Sequence, residues 1–256
     1  MHSEAFTILS LGFILGLKHA LDADHLIAVA TIVSERKGSF SSSLVGAFWG
    51  IGHTLSLLVV GGLVVTLRLQ IPERVALALE FAVAVMLVLL GLHVFWKMYK
   101  GEVLHIHVHE HHGHKHVHPH MHASAAKHSH PDQAAFHESW SIRVLQQMFR
   151  RLSDSKKTIF VGMVHGMAGS AALMLLVLAT ISSQLLALLY IGIFGIGSIG
   201  GMMLMSTLIG LPFAVTAKKS HALNTIVRSI AAATSILFGL FLAWQISFAG
   251  GLFVVH

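Results

Sequence analysis

Four ionisable side chains fall within seven residues of one apolar stretch: His19, Asp22, Asp24 and His25. Inside a membrane-spanning segment such groups are costly, and by default they mark a pathway or a site. Two imidazoles beside carboxylates suit a borderline divalent transition metal, Ni²⁺, Co²⁺, Zn²⁺, Cu²⁺ or Fe²⁺, better than the all-oxygen shells of Mg²⁺ or Ca²⁺. The carboxylates offset the ion's charge where water is absent. At about 100° per residue, His19, Asp22 and His25 share an arc of about 120° on a regular helix, and Asp24 lies off that face. Asp24 then turns to a neighbour or acts as an outer group that orients a ligating imidazole. A local unwinding of the helix would change this assignment. The structural alternative is a buried His–Asp pair that only locks helix packing.

Three further histidines are candidate ligands. His53 stands beside Gly50 and Gly52, after a Gly46-x-x-x-Gly50 pattern that would let this helix pack closely against the first. His165 stands inside Gly162-x-x-x-Gly166. Each alone reads as a helix-packing histidine; beside the first motif they read as third and fourth ligands. His2 could join the amino terminus and its own backbone nitrogen in a square-planar chelate, the alternative being a disordered terminus. The methionines read as apolar filling before they read as thioether ligands.

The elements that must position these groups follow from composition. The chain has 256 residues, 55% hydrophobic and 11% charged, against roughly 25% charged in soluble domains. Mean hydropathy is +0.75. A soluble globular protein and a disordered chain are both excluded, leaving a polytopic membrane protein whose first partner is the lipid bilayer. Cysteine is absent, which removes disulfides, thiolate zinc sites, thiol nucleophiles and iron–sulfur clusters. The net charge of +6 is explained by Lys and Arg on cytoplasmic loops, so no nucleic-acid partner is implied.

Six apolar stretches stand out, at residues 5–33, 43–67, 75–99, 158–181, 185–217 and 225–248. Each reaches the roughly 20 residues that a spanning helix needs. The first and fifth are too long for one straight span, and Gly197, Gly200, Gly201 and Pro212 point to a break in the fifth. Alternate loops carry 14 positive residues against 2. By the positive-inside rule both termini are outside and the long third loop is in the cytoplasm of a cell-membrane protein.

The halves repeat. Gly16-Leu17-Lys18-His19 aligns with Gly162-Met163-Val164-His165, Gly50-Ile51-Gly52-His53 with Gly195-Ile196-Gly197-Ser198, and Gly91-Leu92 with Gly239-Leu240. A three-span unit in tandem must insert upside down the second time. The expected fold is therefore all-α, six transmembrane helices as two inverted three-helix repeats, with a site near the midplane between them. The first repeat occupies residues 1–99 and the second 158–256. Between them lies a His-rich cytoplasmic loop, 100–157, with an amphipathic helix around 136–152.

From His105 to His137 the loop holds 13 histidines, mostly at alternate positions. Such a tract cannot bury a core and is expected to be disordered. It reads as a low-affinity metal collector or a pH-sensitive tether.

The segment from Gly16 to Leu26, with His19, four residues, then Asp24-His25, resembles the hallmark of the nickel/cobalt permease (NiCoT) family. Phe48-Trp49-Gly50-Ile51-Gly52-His53-Thr54 is similar to that family's second motif. Residues 162–173 depart from its acidic third motif: His165 and Ser170 stand where an acid-containing stretch is usual. Six spans in place of eight resemble a compact, urease-associated nickel permease branch. The resemblance implies high-affinity Ni²⁺ or Co²⁺ uptake, with His19, Asp24 and His25 essential. Cytoplasmic nickel chaperones would be partners, and the metal would be cargo rather than cofactor.

Three functions follow for comparison. A secondary importer of Ni²⁺ or Co²⁺ would be drawn by the membrane potential, about 4.6 kcal/mol for a divalent ion at 100 mV, and the sequence has no P-loop for ATP. An exporter would need proton coupling, with Asp22, Asp24 or Glu80 as carriers and the His tract collecting cytoplasmic metal. A membrane metalloenzyme is disfavoured, because no His-Glu-x-x-His occurs.

Overall fold

The computed structural model describes residues 2–36, 38–69, 71–100, 105–111, 114–120, 155–168, 181, 183–250 and 252. The first apolar stretch forms two helices, α1 (His2–His19) and α2 (Ala23–Val33). α3 (Ser39–Leu67) and α4 (Glu73–Tyr99) follow. A hairpin of β1 (His105–His111) and β2 (His114–His120) comes next. α5 is helical over residues 155–168, α6 is Gln184–Lys219, and α7 is His221–Trp244, ending in a π-helical turn at Gln245–Ala249. Among the described residues α3, α4, α6 and α7 with its π turn are long and apolar enough to cross a membrane, and α1 with α2 gives a fifth candidate, bent by 54°. Half of the stretch at 158–181 and the whole segment at 136–152 fall outside the described residues.

The surface is apolar, as a lipid-facing surface must be. Trp49, Leu87, Tyr190 and Ile191 are buried, yet Phe6, Leu89, Leu204 and Leu237 are exposed. In water that exposure would be a liability; in a bilayer hydrocarbon is the solvent.

The break lies in the first stretch and not in the fifth. Leu21 and Asp22 donate their backbone N–H groups to the carbonyls of Lys18 and His19, a tightened last turn. Asp22 then leaves helical geometry, with φ −61° and ψ 144°, and caps α2. Its side chain makes no capping bond and turns back to His19, while Asp24 follows in the first turn, where the helix dipole favours an anion. α6 runs unbroken for 36 residues, about 54 Å, more than a bilayer core of ~30 Å, so it must tilt or project. Gly197 and Gly201 serve packing rather than kinking: a Cβ on Gly197 would collide with the Phe13 carbonyl, and one on Gly201 with Ala20.

Helix contacts come in reciprocal pairs. Gly16 packs on the Phe194 carbonyl and Gly162 on that of Trp49; Gly197 packs on Phe13 and Gly52 on Ile159. Gly91 meets the Ala232 carbonyl while Gly239 meets that of Ala84. At the α3–α6 crossing Gly50 touches Ile199 and Gly195 touches Thr54. Small residues allow these backbones to approach, and in lipid such packing is the main force between helices. The Gly46/Gly50 face therefore meets α6, at Met202 and Ile199, and not the first span as its pattern had implied.

Within the His tract, residues 105–111 and 114–120 form strands in place of the expected disorder. β1 and β2 pair antiparallel with His107 opposite His118 and His109 opposite His116. Alternation of His with Ile106, Val108 and Val117 is a period-two strand pattern, and it gives the backbone a ladder where compositional reasoning saw only a polar tract.

Gly16→Ala should lower the protein's unfolding temperature in detergent, by ~1–3 kcal/mol of stability, because the backbone of α6 has no room to yield. Gly192→Ala, where an added Cβ meets nothing within 4 Å, should leave it unchanged or raise it by up to ~1 kcal/mol.

Candidate metal centre

Four helices deliver one imidazole each to a common point. His19 closes α1 and His25 lies in the first turn of α2; His53 comes from α3 and His165 from α5. All four are buried. Ring centroids lie 4.4 Å apart for His19–His25, 5.1 Å for His19–His53, 5.3 Å for His25–His53 and 4.1 Å for His25–His165. His19, His25 and His53 each offer a nitrogen within 4.8 Å of the others, and so do the donor atoms of Asp24, His25 and His165. The two triads share His25.

Asp24 ties the second triad. Its Oδ1 accepts from the His25 backbone N–H at 2.9 Å and lies 3.1 Å from His25 Nδ1. Its Oδ2 lies 3.2 Å from His165 Nε2, which is also 3.2 Å from His25 Nδ1. Asp22 holds His19 Nδ1 at 2.7 Å. These carboxylates fix ring orientation as outer-sphere acids do around a metal site.

Ring nitrogens remain over. His19 Nε2, His25 Nε2, His165 Nδ1 and both nitrogens of His53 are buried with no hydrogen-bond partner among the described residues. A buried polar atom left unsatisfied costs about 1–3 kcal/mol. A divalent cation that accepted these lone pairs would remove that cost, and Asp24 would offset part of its charge.

Apolar walls keep water out. Trp49 stacks on His25 at 5.6 Å and meets His165 edge-on at 5.4 Å; Phe194 lies 5.6 Å from His19. Trp49 belongs to one apolar cluster, with Val29, Val45, Leu87 and Phe213, and Phe194 to another, with Leu57, Tyr190 and Ile191. The close approach of α5 to α3 sets the depth of His165: Gly162 and Gly166 lie against the backbones of Trp49 and His53. Ser198, the repeat counterpart of His53, donates to the Gly16 carbonyl at 3.2 Å and pins α6 to α1.

The structure brings His19, Asp24, His25, His53 and His165 together. The regular-helix wheel had put Asp24 off the ligand face; because the helix ends at His19 and restarts at Ala23, Asp24 sits between two imidazoles. Asp22 touches only His19 and is half exposed. His2 opens α1, seventeen residues before His19 and so about 25 Å away along the helix, apart from the cluster; its side chain lies outside the described residues. Trp49 was missed as a site residue, although it stands four residues before His53, one helical turn away on the same face.

Apolar outer faces and several spanning helices define a polytopic membrane protein, and its buried imidazole–carboxylate cluster, placed at a helix break, could hold a metal ion. Residues 5–255 match the NicO family, described as "High-affinity nickel-transport protein". The chain belongs to that family, which is one of transport and not of catalysis. It is 34% identical over 250 residues to the urease accessory protein UreH of Bacillus sp. (strain TB-90), covering 98% of this chain and 96% of the relative. No solved structure matches.

Titrating purified protein with Ni²⁺ should give tight binding that Asp24→Asn weakens about 10- to 100-fold, the usual loss when a carboxylate no longer orients its imidazole. Unchanged affinity in Asp24→Asn would contradict this role.

Proposed function

We propose that the chain is a secondary transporter that carries Ni²⁺, with Co²⁺ as a second cargo, into the cell. The observation that carries the reading is the set of buried, unpartnered imidazole nitrogens beside Asp24, in a chain of a nickel-transport family. Nitrogen-rich donors favour Ni²⁺ and Co²⁺ over Mg²⁺ or Ca²⁺ and leave room for both. Uptake needs no other energy source than the inside-negative potential, about 4.6 kcal/mol per divalent ion at 100 mV.

The transporter has six spans arranged as two inverted repeats, residues 1–99 and 158–256, with 158–181 as the fourth. The reciprocal pairs Gly16/Phe194 with Gly162/Trp49 and Gly91/Ala232 with Gly239/Ala84 support that symmetry. Isologous contacts of this kind arise when a patch meets its own copy across a two-fold axis. Both termini are outside, and the loop 100–157 is cytoplasmic, where its histidines hold metal for cytoplasmic nickel chaperones.

The ion is bound by His19, His25, His53 and His165 with Asp24, and Asp22 orients His19. The carbonyl end of α1 faces the site as the negative end of a half-helix, a recurrent cation device in transporters. The repeats rock about the cluster, and the linker at residues 20–22 lets α1 and α2 tilt separately.

Cells expressing the protein should accumulate labelled Ni²⁺, and the His19→Ala, His25→Ala double variant should fall to the level of empty cells. Collapse of the membrane potential should slow wild-type uptake severalfold. Accumulation below that of empty cells, restored in the double variant, would make the protein an exporter. Wild-type uptake in the double variant would overturn the site.

A further inference from the structure

One cavity, about 440 Å³ in volume, opens beside the histidine cluster. Asp24 forms part of its wall, so the carboxylate that touches His25 and His165 also faces this space. The other polar lining groups are Glu80 of α4 and Gln245, which opens the π-helical turn after α7. Leu77, Val83 and Ile246 supply apolar wall between them.

Three features mark this space as more than a packing defect. Glu80 sits seven residues into α4, about 10 Å below its end, and makes no hydrogen bond or ion pair with a described residue. An unpaired acid at that depth needs water or a cation. The wall carries a π turn, Gln245–Ala249, a rare geometry that recurs at functional sites because it widens a helix and redirects side chains. The antiparallel packing of α4 on α7, at Gly91/Ala232 and Gly239/Ala84, puts the start of α4 beside the end of α7. The cavity is thus at the membrane face of the 68–72 loop and the C-terminal end, the outer face in the orientation proposed above.

We propose that this cavity is the vestibule through which Ni²⁺ reaches the histidines: Glu80 and Gln245 hold the incoming, partly hydrated ion, and Asp24 passes it to His25 and His165. Oxygen ligands suit an ion that still keeps some of its water, and the nitrogen donors beyond replace that water. A carboxylate at the mouth also concentrates cations ahead of the site. The identity of the cargo and the sidedness of the vestibule rest on the import reading and orientation proposed above; its existence does not.

The chain has no cysteine, so single cysteines report their own surroundings. Glu80→Cys and Ala249→Cys should react in intact cells with a membrane-impermeant maleimide. Leu89→Cys, on the lipid-facing side of α4, should not, because a thiolate does not form in hydrocarbon. Ni²⁺ added beforehand should slow the reaction at Ala249→Cys. In uptake assays Glu80→Gln should raise the half-saturating Ni²⁺ concentration about tenfold by removing one carboxylate–cation attraction, with the maximal rate largely kept. Glu80→Asp should restore most of the loss.

Unreactive cysteines at both positions, or reaction from the cytoplasmic side alone, would overturn the vestibule even if His25→Ala still abolished uptake. Wild-type Ni²⁺ kinetics in Glu80→Gln would overturn the role of Glu80. Reactive cysteines in a protein that neither binds nor carries Ni²⁺ would overturn the cargo reading, and the role of Glu80 with it.

Discussion

Four buried imidazoles and the half-buried carboxylate beside them must satisfy one another or a guest, and the rest of the molecule is arranged around that requirement. His19, His25, His53 and His165 are buried with ring nitrogens to spare, and Asp24 reaches only two of them. A helix bundle can bear such a centre only if its backbones come close enough for four elements to share a few ångströms. That closeness comes from glycine: Gly162 and Gly166 bring α5 onto α3, while Gly16 and Gly197 bring α1 onto α6. Larger residues at these positions would pull the imidazoles apart before any ion could bridge them.

The helix break is the second half of the same solution. A continuous helix would turn Asp24 away from His19 and His25 and would bury no free helix ends. Ending α1 at His19 and restarting at Ala23 sets the carbonyl end of one half-helix and the amide end of the other beside the cluster. Asp22 caps the restart with its backbone while its carboxylate steadies His19. The aromatic walls Trp49 and Phe194 then exclude water on either side. Low polarity around the donors makes each charge–charge and charge–dipole contact count for more than it would in solution.

Much of this was legible in the sequence. Composition alone required a membrane protein, and the tandem Gly/His matches singled out His165 as the counterpart of His19 in the second half; the structure sets it against His25 and Asp24. His53 and His165 were selected for their glycine neighbours, and those glycines are the close-approach positions. What the sequence withheld was geometry that depends on neighbours. A wheel assumes a regular helix, and a break made by an aspartate cap carries no Gly or Pro to announce it, so Asp24 appeared off the site. Gly197, Gly201 and Pro212 looked like breakers in α6, but packing against α1 uses the glycines, and Pro212 sits within an unbroken helix. The partner of Gly46 and Gly50 was misread because a small-residue face says that a helix is close, not which one. In the His tract, composition outweighed a period-two alternation visible over residues 105–111 and 114–120.

In the proposed transporter the ion rests on the buried imidazoles and not on the loop. Nickel-edge X-ray absorption of the full-length protein, loaded with one equivalent of Ni²⁺ and with the loop histidines from His105 to His137 changed to asparagine, tests it most directly. The account predicts a nearest shell dominated by nitrogen, with the outer scattering of three or more imidazoles and a carboxylate oxygen. A shell of water-like oxygens, or loss of the bound nickel with the loop histidines, would contradict it.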